Sequence, residues 1–136
     1  MITDSDILAA VREALPGVRR VYLFGSRAVG EEWPDSDLDL AVVLDGPADP
    51  VSLWIAGEDI ASRLDVDVDL IDLLTAETLL KHQIVTTGKR LFAADPLDAE
   101  RYEIFILNDM MELNKLRAPL IADMKRRGSV YGDDIL

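Results

Sequence analysis

The sequence predicts an α/β domain built on a small mixed sheet. Three observations carry this. Two short apolar runs, Val21–Phe24 and Leu38–Leu44, are bounded by turn residues and read as strands. A third stretch, Asp65–Asp69, alternates strictly between acidic and apolar residues. Apolar residues at helical spacing fill the intervals between these stretches.

Taken in order, Thr3 caps a first helix, with Asp6 three residues on completing a capping box. Ile7, Leu8, Val11 and Leu15 form its apolar stripe, and Pro16-Gly17 ends it. The first strand runs from about Arg19 to Phe24. A short helix is expected from Ser26, broken near Gly30, with its N-terminal N–H groups open to a phosphate. The second strand runs from Leu38 to Leu44 and closes on Asp45-Gly46-Pro47. A helix over Val51–Leu64 turns Leu53, Ile60 and Leu64 inward. The alternating strand follows from Leu64, with Asp65, Asp67 and Asp69 sharing one face. Thr75 is expected to cap a helix carrying Leu79, Leu80, Ile84 and Val85, stopped at Gly88. Arg90–Ala93 reads as a short last strand. From Leu97 to Arg127 the pattern is helical, with Pro119 kinking it or starting a new segment. Lys125, Arg126 and Arg127 suit a helix C-terminus, with Gly128 as its cap. Residues 1–96 thus form a core and 97–136 a helical extension of the same domain.

The bulk properties narrow the function. The chain has 136 residues, 49% of them hydrophobic, which is enough for one domain with a real core. It has no cysteine, which excludes disulfides and thiolate chemistry and suits the cytosol. There is no membrane-length apolar run, and the N-terminus is acidic, unlike a signal peptide. The net charge of −12 argues against direct nucleic-acid binding and for a basic protein partner, or for an anionic substrate carried with its own metal. With a single histidine, His82, expected to be structural or exposed, a histidine nucleophile or a zinc site is disfavoured. There is no Gly-x-x-x-x-Gly-Lys-Ser/Thr stretch of a P-loop kinase.

The densest chemistry lies between Gly25 and Asp39. Side chains two apart on a strand share a face, so Asp37 and Asp39 point together while Leu38 and Leu40 point away. Paired carboxylates raise each other's pKa unless a cation offsets them, and Mg²⁺ with nucleotide phosphates is the fitting cation. Trp33 and Asp35, inside the same segment, read as loop packing and a turn residue.

Gly25-Ser26, ten residues, then Asp37-Leu38-Asp39 resembles the signature of the polymerase-beta-like nucleotidyltransferase superfamily. The short chain is similar to its minimal nucleotidyltransferases over roughly residues 18–95. The resemblance implies the minimal nucleotidyltransferase fold, a small mixed sheet flanked by helices, with a C-terminal helical segment here. It implies ATP as substrate and two Mg²⁺ ions held by three carboxylates. The third sits in a strand of the form apolar-Asp-apolar-apolar, which Val68-Asp69-Leu70-Ile71 matches. Asp69 is therefore chosen, with Asp67 as its rival on the same face. A solvated acidic edge is the alternative reading of this strand. Gly25 would admit the triphosphate, and Ser26 would add its hydroxyl and N–H. Arg27 either reaches a phosphate oxygen or is an exposed surface arginine.

Many minimal nucleotidyltransferases are antitoxins encoded beside HEPN-domain RNase toxins. The resemblance thus implies a protein adenylyltransferase that moves AMP onto a toxin tyrosine within a hetero-oligomeric complex. A non-catalytic acidic antitoxin is the first alternative, and a small-molecule or tRNA acceptor the second. The acidic charge disfavours tRNA. The short C-terminal segment disfavours a small-molecule acceptor, whose enzymes in this superfamily carry a larger second domain. Tyr131, in the tail, is a partner contact, a self-modification site or part of an ordinary terminus.

Overall fold

The computed structural model of the protein describes residues 2–28, 30, 36–109 and 111. Helix α1 spans Asp4–Ala14. The Thr3 hydroxyl accepts from the Asp6 N–H at 3.1 Å and the Asp6 carboxylate accepts from the Thr3 N–H at 3.0 Å, so the expected capping box forms. Strands β1 (Arg20–Phe24) and β2 (Leu38–Val43) pair antiparallel. Helix α2 (Pro50–Leu64) crosses to β3 (Val68–Asp72), which pairs parallel with β2. A 3₁₀ turn (Leu73–Thr75), helix α3 (Thr78–Thr87) and strand β4 (Lys89–Ala93) follow. β4 pairs antiparallel with β1, giving a mixed sheet of order β3-β2-β1-β4. A further helix, α4, covers 96–109.

Alternation along the strands builds two cores. Val21 and Leu23 of β1 with Leu38, Leu40 and Val42 of β2 meet Ile7, Ala10 and Val11 of α1 and Ile60 of α2. Tyr22, Phe24, Ala41 and Val43 face the other way, against Leu73, Ile84 and Tyr102 of the 3₁₀ turn, α3 and α4. The sheet is thus covered on both faces, which is why β1 and β2 read as continuous apolar runs. On α2, Ile60 is fully buried and Leu53 and Leu64 partly so. Ala56 and Gly57, too small to stand out in the sequence, complete its sheet-facing side.

Three local expectations fail, each for a visible reason. Residues 25–28 form a single turn, closed by the Ala28 N–H on the Gly25 carbonyl at 3.1 Å, where a helix was expected. Gly25 and Gly30 both adopt φ +76°, so left-handed residues bracket a segment too short to propagate a helix. The alternating stretch is strand only from Val68. Asp65 is instead the left-handed cap of α2 (φ 53°), and Asp65, Asp67 and Asp69 do not share a strand face. Thr75 lies in the 3₁₀ turn and does not cap α3. Asp72 caps the 3₁₀ turn instead, its buried carboxylate accepting from the N–H groups of Leu74 and Ala48 at 3.0 and 2.9 Å, while α3 has Glu77 at its N-cap position and no side-chain cap. Gly88 does end α3, in extended conformation, and it must be glycine because a Cβ there would lie 2.3 Å from the Ile84 carbonyl oxygen and 3.0 Å from that of Leu23. His82 is buried, its Nε2 3.8 Å from Asp109 of α4. Trp33, Asp35, Pro119, Lys125, Arg126, Arg127, Gly128 and Tyr131 lie outside the described residues.

Helix α4 is fastened to the sheet through Glu103. Its carboxylate accepts from the Tyr22 hydroxyl at 2.7 Å and from Arg90 Nη1 at 3.0 Å. Next to it, the Arg20 guanidinium lies over the Tyr102 ring at 4.7 Å. Burial, and then the bond to Glu103, push the Tyr22 phenol up to about 12. Glu103→Ala is expected to cost about 1–3 kcal/mol in urea unfolding, because two partly buried donors lose their acceptor.

Candidate active site

The register of three strands sets one row across the sheet. Phe24 stands opposite Asp39, and Asp39 opposite Asp69. Adjacent strands are ~4.8 Å apart, so the two aspartates are nearest neighbours across the β2–β3 ladder. Both point to the face that carries α3, since Asp39 has the parity of Ala41 and Val43. Asp37 leads into β2 two residues earlier and is exposed, as is Asp69, whereas Asp39 is half-buried. Burial, then the charges of Asp69 and of Asp37, hold the Asp39 carboxyl above the ordinary carboxylate range. The ion pairs among the described residues use none of these three carboxylates.

The glycine turn is joined to this row. Gly25 follows Phe24, and a Cβ on it would stand 2.1 Å from Asp39 Oδ2. The sequence reading left that space for a triphosphate. In the structure the Asp39 carboxylate occupies it, so the absent side chain lets the turn and the carboxylate lie in direct contact. The positive φ of Gly25 adds a second reason for glycine.

Arg27 has a partner that the sequence reading did not foresee. Its Nε and Nη2 donate to the Ser36 carbonyl at 3.3 and 2.8 Å. The guanidinium thus ties the turn after β1 to the residue just before Asp37. Ser26 is half-buried within the same turn. Asp67 goes elsewhere. Its carbonyl accepts from the Leu38 N–H at 2.8 Å, and with Asp65, Glu58 and Arg27 it lines a cleft of about 460 Å³ on the α1–α2 side. That cleft includes none of Asp37, Asp39 and Asp69.

The carboxylate donor set suits a hard, oxygen-seeking divalent cation. Among the described residues no three acids or histidines already enclose a metal-sized point. Asp37 and Asp69 are exposed, and their charges act on Asp39. A cation there would also offset the repulsion felt by Asp39.

Comparison with known proteins shows the family and the fold. A family model described as "Polymerase beta, Nucleotidyltransferase" matches residues 7–97. Protein adenylyltransferase MntA of Shewanella oneidensis is 33% identical over 123 residues, covering 90% of this chain and 88% of that protein. A crystal structure of a toxin–antitoxin with AMP-PNP matches with a TM-score of 0.76 and 33% identity, over 91% of this chain and 99% of that chain. A structure of the tri-AMPylated Shewanella oneidensis HEPN toxin in complex with its MNT antitoxin matches with a TM-score of 0.69 and 32% identity, over 90% of this chain and 95% of that chain.

Proposed function

The chain belongs to the polymerase beta nucleotidyltransferase family, and from that premise we propose that it is a protein adenylyltransferase and the antitoxin of a HEPN-domain RNase toxin. It takes AMP from ATP, places it on a tyrosine hydroxyl of the toxin and releases pyrophosphate. The observation that carries this reading is the contact of the glycine turn with the Asp39–Asp69 row. It sets a phosphate-sized turn beside two carboxylates that no cationic side chain among the described residues neutralises. The relative named MntA and the structures with AMP-PNP and with the AMPylated toxin support the substrate and the acceptor.

Each residue has a role in this scheme. Gly25 and Ser26 cradle the triphosphate. Arg27 supports phosphate binding by fixing the turn against Ser36. Asp37, Asp39 and Asp69 would hold Mg²⁺, two ions by the carboxylate count, which when bound neutralises triphosphate charge and acidifies the acceptor hydroxyl. Asp69, outermost on the row, takes the hydroxyl proton. The tyrosine oxygen then bonds to the α-phosphorus as the bond to pyrophosphate breaks.

Residues 1–96 form the catalytic core, and 97–136 are its extension. The tie of α4 to the sheet through Glu103 supports reading the described part of the extension as one domain with the core. No helix among the described residues is long and apolar enough to cross a membrane. The acidic, cysteine-free composition supports a cytoplasmic setting for the reaction.

The test is transfer of label from α-labelled ATP to the cognate HEPN-domain toxin, with Asp69→Asn and Asp67→Asn compared. Asp69→Asn is expected to lose about a hundredfold or more in rate, in the range of an essential general base. Asp67→Asn is expected to stay within about threefold of wild type. Equal losses in the two variants would remove the assignment of Asp69.

A further inference from the structure

Strand β3 lies at the edge of the sheet, and among the described residues only β2 pairs with it. The ladder begins with the Leu38 N–H on the Asp67 carbonyl. Parallel pairing then turns the backbone groups of odd-numbered residues to β2 and those of Val68 and Leu70 outward. Along this open edge runs a groove of about 490 Å³, lined by Pro50, Leu53, Leu70, Ile71, Ala76 and Leu80. Leu70 and Ile71 belong to opposite faces of the sheet, so the groove wraps the edge. Trp54 on α2 and Leu79 on α3, the helices that flank it, are 67% and 69% exposed.

The charge around this groove is one-sided. Its lining carries Asp72 and Glu77 and, among the described residues, no basic one, and the exposed Asp49 sits between two lining residues, Ala48 and Pro50. Glu77, at the start of α3, is exposed and makes no capping bond with its side chain. A second copy docking here would set one acidic rim against another, which like-charge repulsion opposes.

We propose that the β3-edge groove is the docking site of the protein acceptor, a basic segment that lies extended along β3. The proposal rests on the adenylyl-transfer reading. The acceptor's apolar side chains fill the groove, its lysines and arginines meet the acidic rim, and its backbone bonds to the outward groups of β3. Asp69 is the next residue to Leu70 on the same strand, so a segment seated here is delivered beside the reacting carboxylates. One surface then accounts for an open edge, an apolar groove and a local excess of negative charge.

The test uses the full chain with the cognate HEPN-domain toxin. AMP transfer kinetics and toxin binding by calorimetry are measured for wild type, for Trp54→Ala/Leu79→Ala and for Glu77→Lys. All three substituted residues are exposed and lie outside the proposed catalytic set, and a thermal melt checks that each variant folds. The double variant is expected to raise the acceptor KM and the Kd about tenfold or more, with kcat at saturation and ATP affinity unchanged. Glu77→Lys is expected to weaken docking at low salt and to approach wild type at high salt. Binding that the variants weaken, without any transfer by wild type, would keep the docking site and remove the adenylyl-transfer reading. Wild-type transfer with acceptor KM and Kd within twofold in both variants would overturn the docking site. So would no binding of the toxin by wild type, or a double variant that changes only self-association.

Discussion

Asp39→Asn is expected to lower adenylyl transfer at least about a thousandfold, equivalent to about 4 kcal/mol of transition-state stabilisation. Asp39 is the centre of the row, touching Gly25 on one side and standing opposite Asp69 on the other. Its loss removes one carboxylate from every proposed cation position. The same substitution should not destabilise the metal-free fold. Burial and the charges of Asp69 and Asp37 hold the Asp39 carboxyl above its ordinary 3.8 in the folded state. The folded state therefore binds this proton more tightly than the unfolded state does. That preference contributes stability below the ordinary value, and the contribution is lost as pH rises through the raised one. Metal-free wild type should thus gain stability on acidification across this window, relative to Asp39→Asn. Near neutral pH the variant should melt at the same temperature or higher. Melting curves in chelator from pH 7 down to about 4 check both statements. A variant that melts well below wild type at pH 7 would show that the carboxylate is a structural tie.

Gly25→Ala carries the next largest effect. The left-handed conformation alone costs about 1–2 kcal/mol for a residue with a Cβ. Beyond that, the new methyl would stand 2.1 Å from Asp39 Oδ2, so the carboxylate must move by more than an ångström or the turn must open. Misplacement on that scale costs about a hundredfold in rate. Activity should therefore fall further than the stability loss accounts for, and transfer assays beside urea unfolding separate the two. Gly30→Ala makes the comparison. It shares the φ of +76°, and nothing among the described residues lies within 4 Å of its Cβ position, so the strain is similar and Asp39 is left in place.

The parts of the fold legible in the sequence were those written in a local code. The capping box at Thr3 and Asp6, the two apolar strands and the α2 stripe each depend on residues close in sequence. The spacing from Gly25-Ser26 to Asp37-Leu38-Asp39 pointed to the family, and the family model and the relatives agree with it. Alternation proved a weaker guide. Asp65-Val66-Asp67 alternates as a strand does, yet it is the exit from α2, since a left-handed cap followed by a short link leaves the same pattern. The sheet register that puts Asp69 rather than Asp67 opposite Asp39 is a long-range property that no local pattern carries. The same holds for Glu103, which meets Tyr22 across 81 residues of sequence. Arg27 was open to two readings because a sequence shows a charge but not the carbonyl it grips.

The central claim is that this chain transfers AMP to a protein hydroxyl and does more than bind its partner. The most direct measurement is the intact mass of the cognate HEPN-domain toxin after incubation with the purified chain, ATP and Mg²⁺, followed by peptide mapping. The account predicts mass increments of whole adenylyl groups on a tyrosine-containing peptide, present with wild type and absent with Asp37→Ala/Asp39→Ala. An unmodified partner that is nonetheless bound and silenced, equally well by wild type and by the double variant, would contradict it. The chain would then be an antitoxin that acts by binding alone.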